Sequence, residues 1–402
     1  MSIFDKVNGF TMARAAQAMG IYPYFTPIQQ TTATEALIDG KWRIMVGSNN
    51  YLGLTHHPRV LEAAHLASLK YGVGSTGSRF LNGTLDLHYE LEARLAKFFR
   101  KESALVFTTG YQASLGALAP LLGRNDHAYL DRLDHASLVD AARLGMGEIH
   151  RYTHGDYDGL SRQLARTPAD AGKLVVTDGV FSMEGSIADL PQIVAVAKEH
   201  KASVLVDEAH ALGVLGEDGA GSVSHFGLHD EVDLILATFS KSLASVGGVV
   251  AGPENVIHFL RHHARSLIFT ASMPPASVAG VLAALDILQS EPERRTRLWE
   301  HTNRVTAGFR ALGFDLGTTR TPVIPVVVGD PLRAGMIWRA LFDDGVFTHP
   351  IVPPAVPEHS CRIRVSMSAE HTDEQVDRVL NAFERVSHMV AHREAGAASI
   401  AT

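Results

Sequence analysis

Ser203-Val204-Leu205-Val206-Asp207-Glu208-Ala209-His210 is a run of apolar, β-favouring residues that ends abruptly in two acids and a histidine. Thirty-odd residues later Asp233-Leu234-Ile235-Leu236-Ala237-Thr238 does the same and runs into Phe239-Ser240-Lys241-Ser242. Continuous apolar runs of this length predict strands buried on both faces, the signature of a parallel sheet covered by helices. Working outward, similar strands are expected at Arg43–Gly47, Ala104–Thr108, His127–Asp131, Lys173–Thr177 and Gly248–Ala251. Helical patterns fill several gaps between them, among them Leu87–Phe99 and Leu190–His200. The second is entered by Asp189 as a cap, with Pro191 in its first turn. Strands alternating with helices point to a mostly parallel α/β sheet.

The rhythm changes after about Glu291. A charged helix over Pro292–Leu312, strands at Val323–Val328 and Arg362–Ser366 and a last helix over Asp373–His392 read as a small C-terminal α+β lobe. Three parts are expected: an arm over residues 1–50 with an amphipathic helix and a short strand, a large domain over 51–290, and the small domain over 291–402. Residues 394–402, rich in Ala and Ser, read as a frayed end. A chain of 402 residues that is 46% apolar can bury a large core across such lobes.

Charge and composition exclude several functions. The net charge is -7 with both signs interspersed, which argues against a binder of nucleic acid or anionic membranes and allows at most peripheral membrane contact. Cys361 is the one cysteine, so neither a disulfide framework nor a cysteine-rich zinc site is available. Residues 1–7 open no apolar core of a secretory signal, and the expected location is cytoplasmic. The uncharged stretches Ser103–Gly123 and Ser266–Leu285 could span a bilayer by length. Thr108-Thr109-Gly110-Tyr111-Gln112 and Pro274-Pro275 interrupt them, so they read as buried core.

In open α/β sheets, ligands gather beyond the carboxyl ends of the strands. Those ends carry Thr108-Thr109-Gly110-Tyr111, Asp134-His135, Asp178 to Ser182, Asp207 to His210 and Thr238 to Lys241. A lysine on a turn, flanked by small and hydroxyl residues, can form an imine with an aldehyde, and Thr238 and Ser240 can donate to a phosphate. An ionised carboxylate at Asp207 suits a pyridine nitrogen: it keeps that nitrogen protonated and the ring an electron sink. Gly110 and Tyr111 at a helix entry offer backbone N–H groups and a favourable dipole to a phosphate dianion. His135 can lie flat on the ring. Together these chemistries describe pyridoxal 5'-phosphate (PLP), with no metal implied.

Singly, each residue has an ordinary reading. A lone Lys241 is commonly a solvated lysine, and Asp207 or His210 could cap a helix or finish a strand; only their joint placement at strand ends speaks for a cofactor. A different class also competes. Val206-Asp207-Glu208-Ala209-His210 looks like the acidic magnesium box of nucleotide hydrolases, but no Gly-x-x-x-x-Gly-Lys-Ser/Thr loop accompanies it and no basic path for nucleic acid is present. A non-catalytic binding module would leave Lys241 and Asp207 without a purpose.

At these residues the chain resembles the α-oxoamine synthases of the fold-type I PLP enzymes over nearly its whole length. The resemblance rests on Ser48 to Leu54 (Ser-Asn-Asn-Tyr-Leu-Gly-Leu), Gly77-Ser78-Arg79, Asp134-His135-Ala136-Ser137, Phe181-Ser182-Met183-Glu184-Gly185, Val206 to His210, Thr238 to Ser242 and Pro353-Pro354-Ala355-Val356-Pro357. It implies a large domain with a mostly parallel seven-stranded sheet, a small C-terminal domain and an N-terminal arm. It also implies that Lys241 bonds the cofactor aldehyde, that Asp207 pairs with the pyridine nitrogen, and that His210 and Ser182 face the ring hydroxyl. His135 would stack on the ring and touch the substrate, while Gly110, Tyr111 and Thr238 hold the phosphate. Thr270 would reach the phosphate of a partner subunit, which makes a homodimer with shared sites. Arg364, with Asn49 and Ser78, would serve the substrate, the guanidinium binding the amino-acid carboxylate.

Family members join an amino acid to an acyl-CoA thioester with loss of CO2 and differ in both substrates. Phe239-Ser240-Lys241-Ser242, Gly20 to Phe25 and Ser78 to Asp86 resemble the branch that uses L-serine and a long-chain acyl-CoA, palmitoyl-CoA, at the first step of sphingolipid synthesis. The biotin-pathway branch, 8-amino-7-oxononanoate synthase, and the threonine-pathway branch, glycine C-acetyltransferase, are the alternatives; their members usually read Leu-Gly-Lys-Ala there.

Overall fold

The computed structural model describes residues 2–390, so the segment 394–402 expected to fray lies outside the described residues. Three strands come first: β1 (Gln30–Thr31), β2 (Glu35–Ile38) and β3 (Lys41–Met45). Seven follow: β4 (Ser103–Phe107), β5 (Asp126–Asp131), β6 (Glu148–Tyr152), β7 (Gly172–Asp178), β8 (Ser203–Asp207), β9 (Leu234–Thr238) and β10 (Gly248–Gly252). The last four are β11 (Val323–Gly329), β12 (Val346–Phe347), β13 (His349–Ile351) and β14 (Cys361–Ser366). The described residues separate into two compact units, one of residues 49–182 and 186–297, the other of the remainder.

The larger unit holds a seven-stranded sheet in the order β4-β10-β9-β8-β7-β5-β6. All neighbours from β9 to β6 run parallel; β10 is antiparallel to both β4 and β9. Side-chain alternation sorts the strands into two cores. Val106, Val175, Val204, Val206, Ile235 and Val249 join one cluster with the helices Asp86–Phe98, Leu190–Glu199 and Pro275–Ser290. Leu105, Phe107, Val176, Leu205, Leu236 and Val250 join the other with Gly110–Leu121, Ala136–Leu144 and Glu254–His263. Burial on both faces is why these strands read as unbroken apolar runs.

The expected count of seven strands in the large sheet is met with one exchange of membership. The Arg43–Gly47 expectation forms as β3 but belongs to another sheet, and its place is taken by β6, Glu-Ile-His-Arg-Tyr, which had no counterpart in the sequence reading. As the edge strand, β6 is mostly half-exposed and carries polar residues, so no apolar run betrays it. The two uncharged stretches break into β4 plus Gly110–Leu121, and into Arg265–Ile268 plus Pro275–Ser290. No helix among the described residues is long and apolar enough to cross a membrane.

In the smaller unit, β2 and β3 form a hairpin whose turn, Asp39-Gly40, has positive φ at both residues (50° and 71°), the conformation a two-residue hairpin requires. β3 then pairs in parallel with β12, Ile44 opposite Val346. A second, antiparallel sheet has the order β11-β14-β13. The final helix is Asp373–Val386, entered through a reciprocal cap in which Gln375 N–H donates to Thr372 Oγ1 and Thr372 N–H to Gln375 Oε1.

Candidate active site

The carboxyl ends of the parallel strands converge on a cluster of titratable groups, all within the larger unit. Asp207 closes β8 and is 3% exposed. Its Oδ1 accepts a hydrogen bond from Ala209 N–H at 2.8 Å, which fixes the carboxylate at the strand tip. Burial pushes its pKa above the ordinary range, against the opposing pull of Lys241, the Ala209 N–H and His135. Lys241 sits half-buried on the turn after β9. Its charge acts on Asp207, His135 and Asp178 alike, so these four groups share one electrostatic environment.

His135 caps the helix Ala136–Leu144: its Nδ1 lies 2.8 Å from Ser137 Oγ and accepts from Ser137 N–H at 3.3 Å. The backbone N–H of His135 donates to Asp178 Oδ2 at 2.8 Å. Desolvation lowers the pKa of this imidazole, with Asp207 opposing and Lys241 reinforcing the shift. Asp178 closes β7 opposite Asp207, and Asp134 Oδ1 in turn accepts from Asp178 N–H at 3.0 Å. Desolvation first, and then neighbouring carboxylates, drive both of these buried carboxyls well above the carboxylate range, with Arg151 opposing at Asp134 and Lys241 opposing at Asp178.

His210 is 8% exposed and its Nδ1 lies 2.7 Å from the hydroxyl of Tyr51, a side chain with no exposed surface. Ser182 lies half-buried shortly after β7. Thr238 ends β9: its hydroxyl donates to Gly247 O at 3.2 Å and lies 3.1 Å from Ser240 Oγ, while Ser240 itself is exposed. Gly110 opens the helix Gly110–Leu121, capped by Thr109, whose hydroxyl accepts from Gln112 N–H at 3.1 Å. The first N–H groups of such a helix have no acceptor within it. A Cβ on Gly110 would come within 2.6 Å of Thr238 Oγ1, so the helix entry and the Thr238 hydroxyl meet at a point that only glycine permits. The Tyr111 ring is exposed and its hydroxyl donates to Asp140. Thr270 accepts from Gln112 Nε2 at 3.1 Å. Ser78 Oγ is buried and makes no hydrogen bond among the described residues.

Asn49 is the first residue of the larger unit, and its carbonyl accepts from Tyr51 N–H at 2.8 Å. Arg364 belongs to the smaller unit. It lies on β14 opposite His349 and is 7% exposed, and its carbonyl accepts from Thr348 Oγ1 at 2.6 Å. Burial and then the Arg364 charge hold His349 below its ordinary pKa.

Three residues here had no role in the sequence reading: Tyr51, Asp178 and Asp134. Each stood inside or beside a quoted motif, but only coordinates reveal that Tyr51 reaches His210 across 159 positions and that Asp178 holds the His135 backbone.

The set fits PLP on structural grounds. A buried carboxylate raised by desolvation calls for a cation, which a protonated pyridine nitrogen supplies. The glycine-lined helix entry beside two hydroxyls suits a phosphate dianion.

Comparisons with known proteins extend this. The aminotransferase class I and II family model matches residues 43–383. A serine palmitoyltransferase (SPT) of Sphingobacterium spiritivorum is 50% identical over 382 residues, which is 95% of this chain and 96% of that one. An 8-amino-7-oxononanoate synthase of Symbiobacterium thermophilum is 41% identical over 385 residues, 96% and 97% of the two chains. A high-resolution structure of SPT with a PLP internal aldimine superposes with a TM-score of 0.94 at 38% identity, covering 97% of this chain and all of that one. The chain therefore belongs to the aminotransferase class I and II family and, within it, to the PLP-dependent α-oxoamine synthases.

Proposed function

We propose that this protein condenses L-serine with palmitoyl-CoA to 3-oxosphinganine, CoA and CO2. The observation that carries the reading is the 50% identity along 95% of the chain to a serine palmitoyltransferase, against 41% to an 8-amino-7-oxononanoate synthase. When bound, PLP supplies an electron sink for the charge left at the substrate Cα.

The chain's own groups divide the remaining work. Asp207 Oδ atoms hold a proton on the pyridine nitrogen, a task that the nearby positive charge of Lys241 supports by favouring the ionised carboxylate. Lys241 Nζ would hold the cofactor aldehyde and, as a free amine, would take the substrate Cα proton and later return one. The lowered pKa of His135 keeps its imidazole neutral near pH 7, so it orients substrate through hydrogen bonding rather than charge. Tyr51 and His210 act as one hydrogen-bonded unit toward the ring hydroxyl, with Ser182 beside them in that role. Gly110, Tyr111, Thr238 and Ser240 serve the phosphate. Arg364 is assigned to the serine carboxylate on the chemistry of its planar fork, with Asn49 and Ser78 as further substrate contacts.

The working form is a homodimer in which Thr270 serves the phosphate of the partner subunit. Leu61, Leu66, Leu69, Val73, Phe80 and Leu81 of the larger unit are exposed apolar side chains, residues of the type that a second copy would cover. We place the protein in the cytoplasm, with an N-terminal arm, a large cofactor domain and a small C-terminal domain.

Titrating the yellow holoenzyme with L-serine, L-alanine and glycine, then adding palmitoyl-CoA and following CoA release, tests the substrate assignment. Serine binding with CoA release is the expected result. Preference for alanine with a pimeloyl thioester would move the protein to the biotin-pathway branch.

A further inference from the structure

At the far edge of the large sheet, remote from the proposed chemistry, a second group of side chains comes together. β5 and β6 lie in parallel register with His127 beside Glu148 and Tyr129 beside His150. His127 Nδ1 is 2.9 Å from His150 Nε2, and Glu148 oxygens lie 3.8 Å from His127 Nδ1 and 3.6 Å from His150 Nε2. Among the described residues, this is the one trio of His, Cys, Asp or Glu side chains whose ligand atoms all fall within 4.8 Å of one another.

We propose that His127, Glu148 and His150 form a site for a divalent transition-metal cation of the zinc type, with His127 Nδ1, His150 Nε2 and a Glu148 oxygen as ligands and water in the fourth position. In a tetrahedral zinc site with bonds of about 2.0–2.1 Å, adjacent ligand atoms stand about 3.3 Å apart. His127 Nδ1 and His150 Nε2 stand 2.9 Å apart, while Glu148 Oε2 is 3.8 Å from the first and Oε1 3.6 Å from the second, so the rings must part by about 0.4 Å and the carboxylate must turn one oxygen toward both. Two imidazoles and a carboxylate are donors that zinc accepts readily.

The rings are held before any cation arrives. His150 stacks on Tyr129 with centroids 4.7 Å apart and planes 11° from parallel, and Tyr129 is fully buried with its hydroxyl bonded to Thr167. His127 lies 16° from the plane of His150. The proton shared between Nδ1 and Nε2 must move to the other nitrogen of the ring that carries it. That is a tautomer change, and it releases no proton.

The cation would tie the edge strand β6 to its only neighbour in the sheet. His127 and Glu148 lie at the start of their strands and His150 midway along β6, whereas Asp207 and Thr238 close theirs. From His127 to Asp131, at the end of β5, is about 13 Å of extended chain. The site is therefore structural: occupancy raises stability by mass action and leaves turnover unchanged.

Zinc competition against a chromophoric chelator on the PLP-loaded protein, with thermal unfolding alongside, provides the test. The expected result is one tight zinc per chain, weakened at least tenfold in His150→Gln and in Glu148→Gln, with serine turnover within twofold of the parent in both. The parent melting temperature should rise with zinc, and that of His150→Gln should not. Glu148 is 67% exposed, so its variant has no reason to misfold. His258 and His262, one turn apart on an exposed helix face with rings 4.6 Å apart, are the competing chelators, so His262→Gln should retain the tight zinc. Loss of that zinc in His262→Gln, its retention in both other variants, or no tight zinc in the parent would overturn the assignment.

Discussion

Tyr51→Phe removes one oxygen and nothing else, which makes it the sharpest test of how the site is built. The hydroxyl is fully buried and lies 2.7 Å from His210 Nδ1. A hydrogen bond of this kind is worth about 1 kcal/mol net, and removing one buried partner costs about 1–3 kcal/mol. At about 1.4 kcal/mol per decade that is roughly 5- to 150-fold in an equilibrium or rate constant. If Tyr51 fixes the imidazole that faces the ring hydroxyl, the loss should appear as weaker PLP binding and a lower kcat/KM for serine. The urea midpoint reports any global destabilisation separately, with an unchanged slope marking an intact fold. PLP dissociation measured by absorbance, together with steady-state kinetics, gives the answer. A variant that binds PLP and turns over serine within twofold of the parent would refute the idea that Tyr51 orients His210.

Lys241→Ala should abolish both the visible absorbance of the bound cofactor and turnover; full activity in that variant would end the assignment. Asp207→Ala should lower the rate by orders of magnitude, since an unprotonated pyridine is a poor sink, and near-normal kinetics would contradict the role. Gly110→Ala would drive a methyl to 2.6 Å from Thr238 Oγ1 and 2.7 Å from its Cβ, costing about 1–3 kcal/mol and weakening PLP binding; unchanged stability and affinity would show the approach to be loose. His371, buried with Nδ1 accepting from Ser368 N–H and Nε2 facing Met45 O, is held at about 4 against 6.5 when unfolded. Its neutral form contributes stability that is complete above pH 6.5 and lost as pH falls towards 4, about 3 kcal/mol in all. Glu208, raised to about 7 by burial, has the opposite sign, losing stability as pH rises from 4.5 to 7. The stability gap between the parent and His371→Gln, from urea midpoints, should therefore narrow on acidification; a gap constant from pH 7 to pH 4.5 would contradict the burial argument.

Much of the fold was legible because burial leaves a mark on composition. β8 was placed to the residue, and β4, β5, β7, β9 and β10 within a residue or two at each end, since each is apolar on both faces. β6 escaped because an edge strand keeps one side for solvent, and β2 because a four-residue strand relies on its turn and partner rather than on its own pattern. At the candidate site, Lys241, Asp207 and His135 stood out as reactive types at strand ends. Tyr51 and Asp178 did not, because what they do is hold other residues, and that is a property of distance in space.

The pairing of β3 with β12 has a consequence for biosynthesis. Ile44 finds its backbone partner at Val346, roughly 300 residues later, and at about 5–20 residues per second the ribosome needs some 15–60 s to make the intervening chain. Throughout that interval one side of the β2–β3 hairpin has no hydrogen-bonding neighbour, which exposes it to strand capture by another nascent chain. A growing polysome would thus favour factors that shield this hairpin, and truncations ending before residue 346 should aggregate more readily than the whole chain.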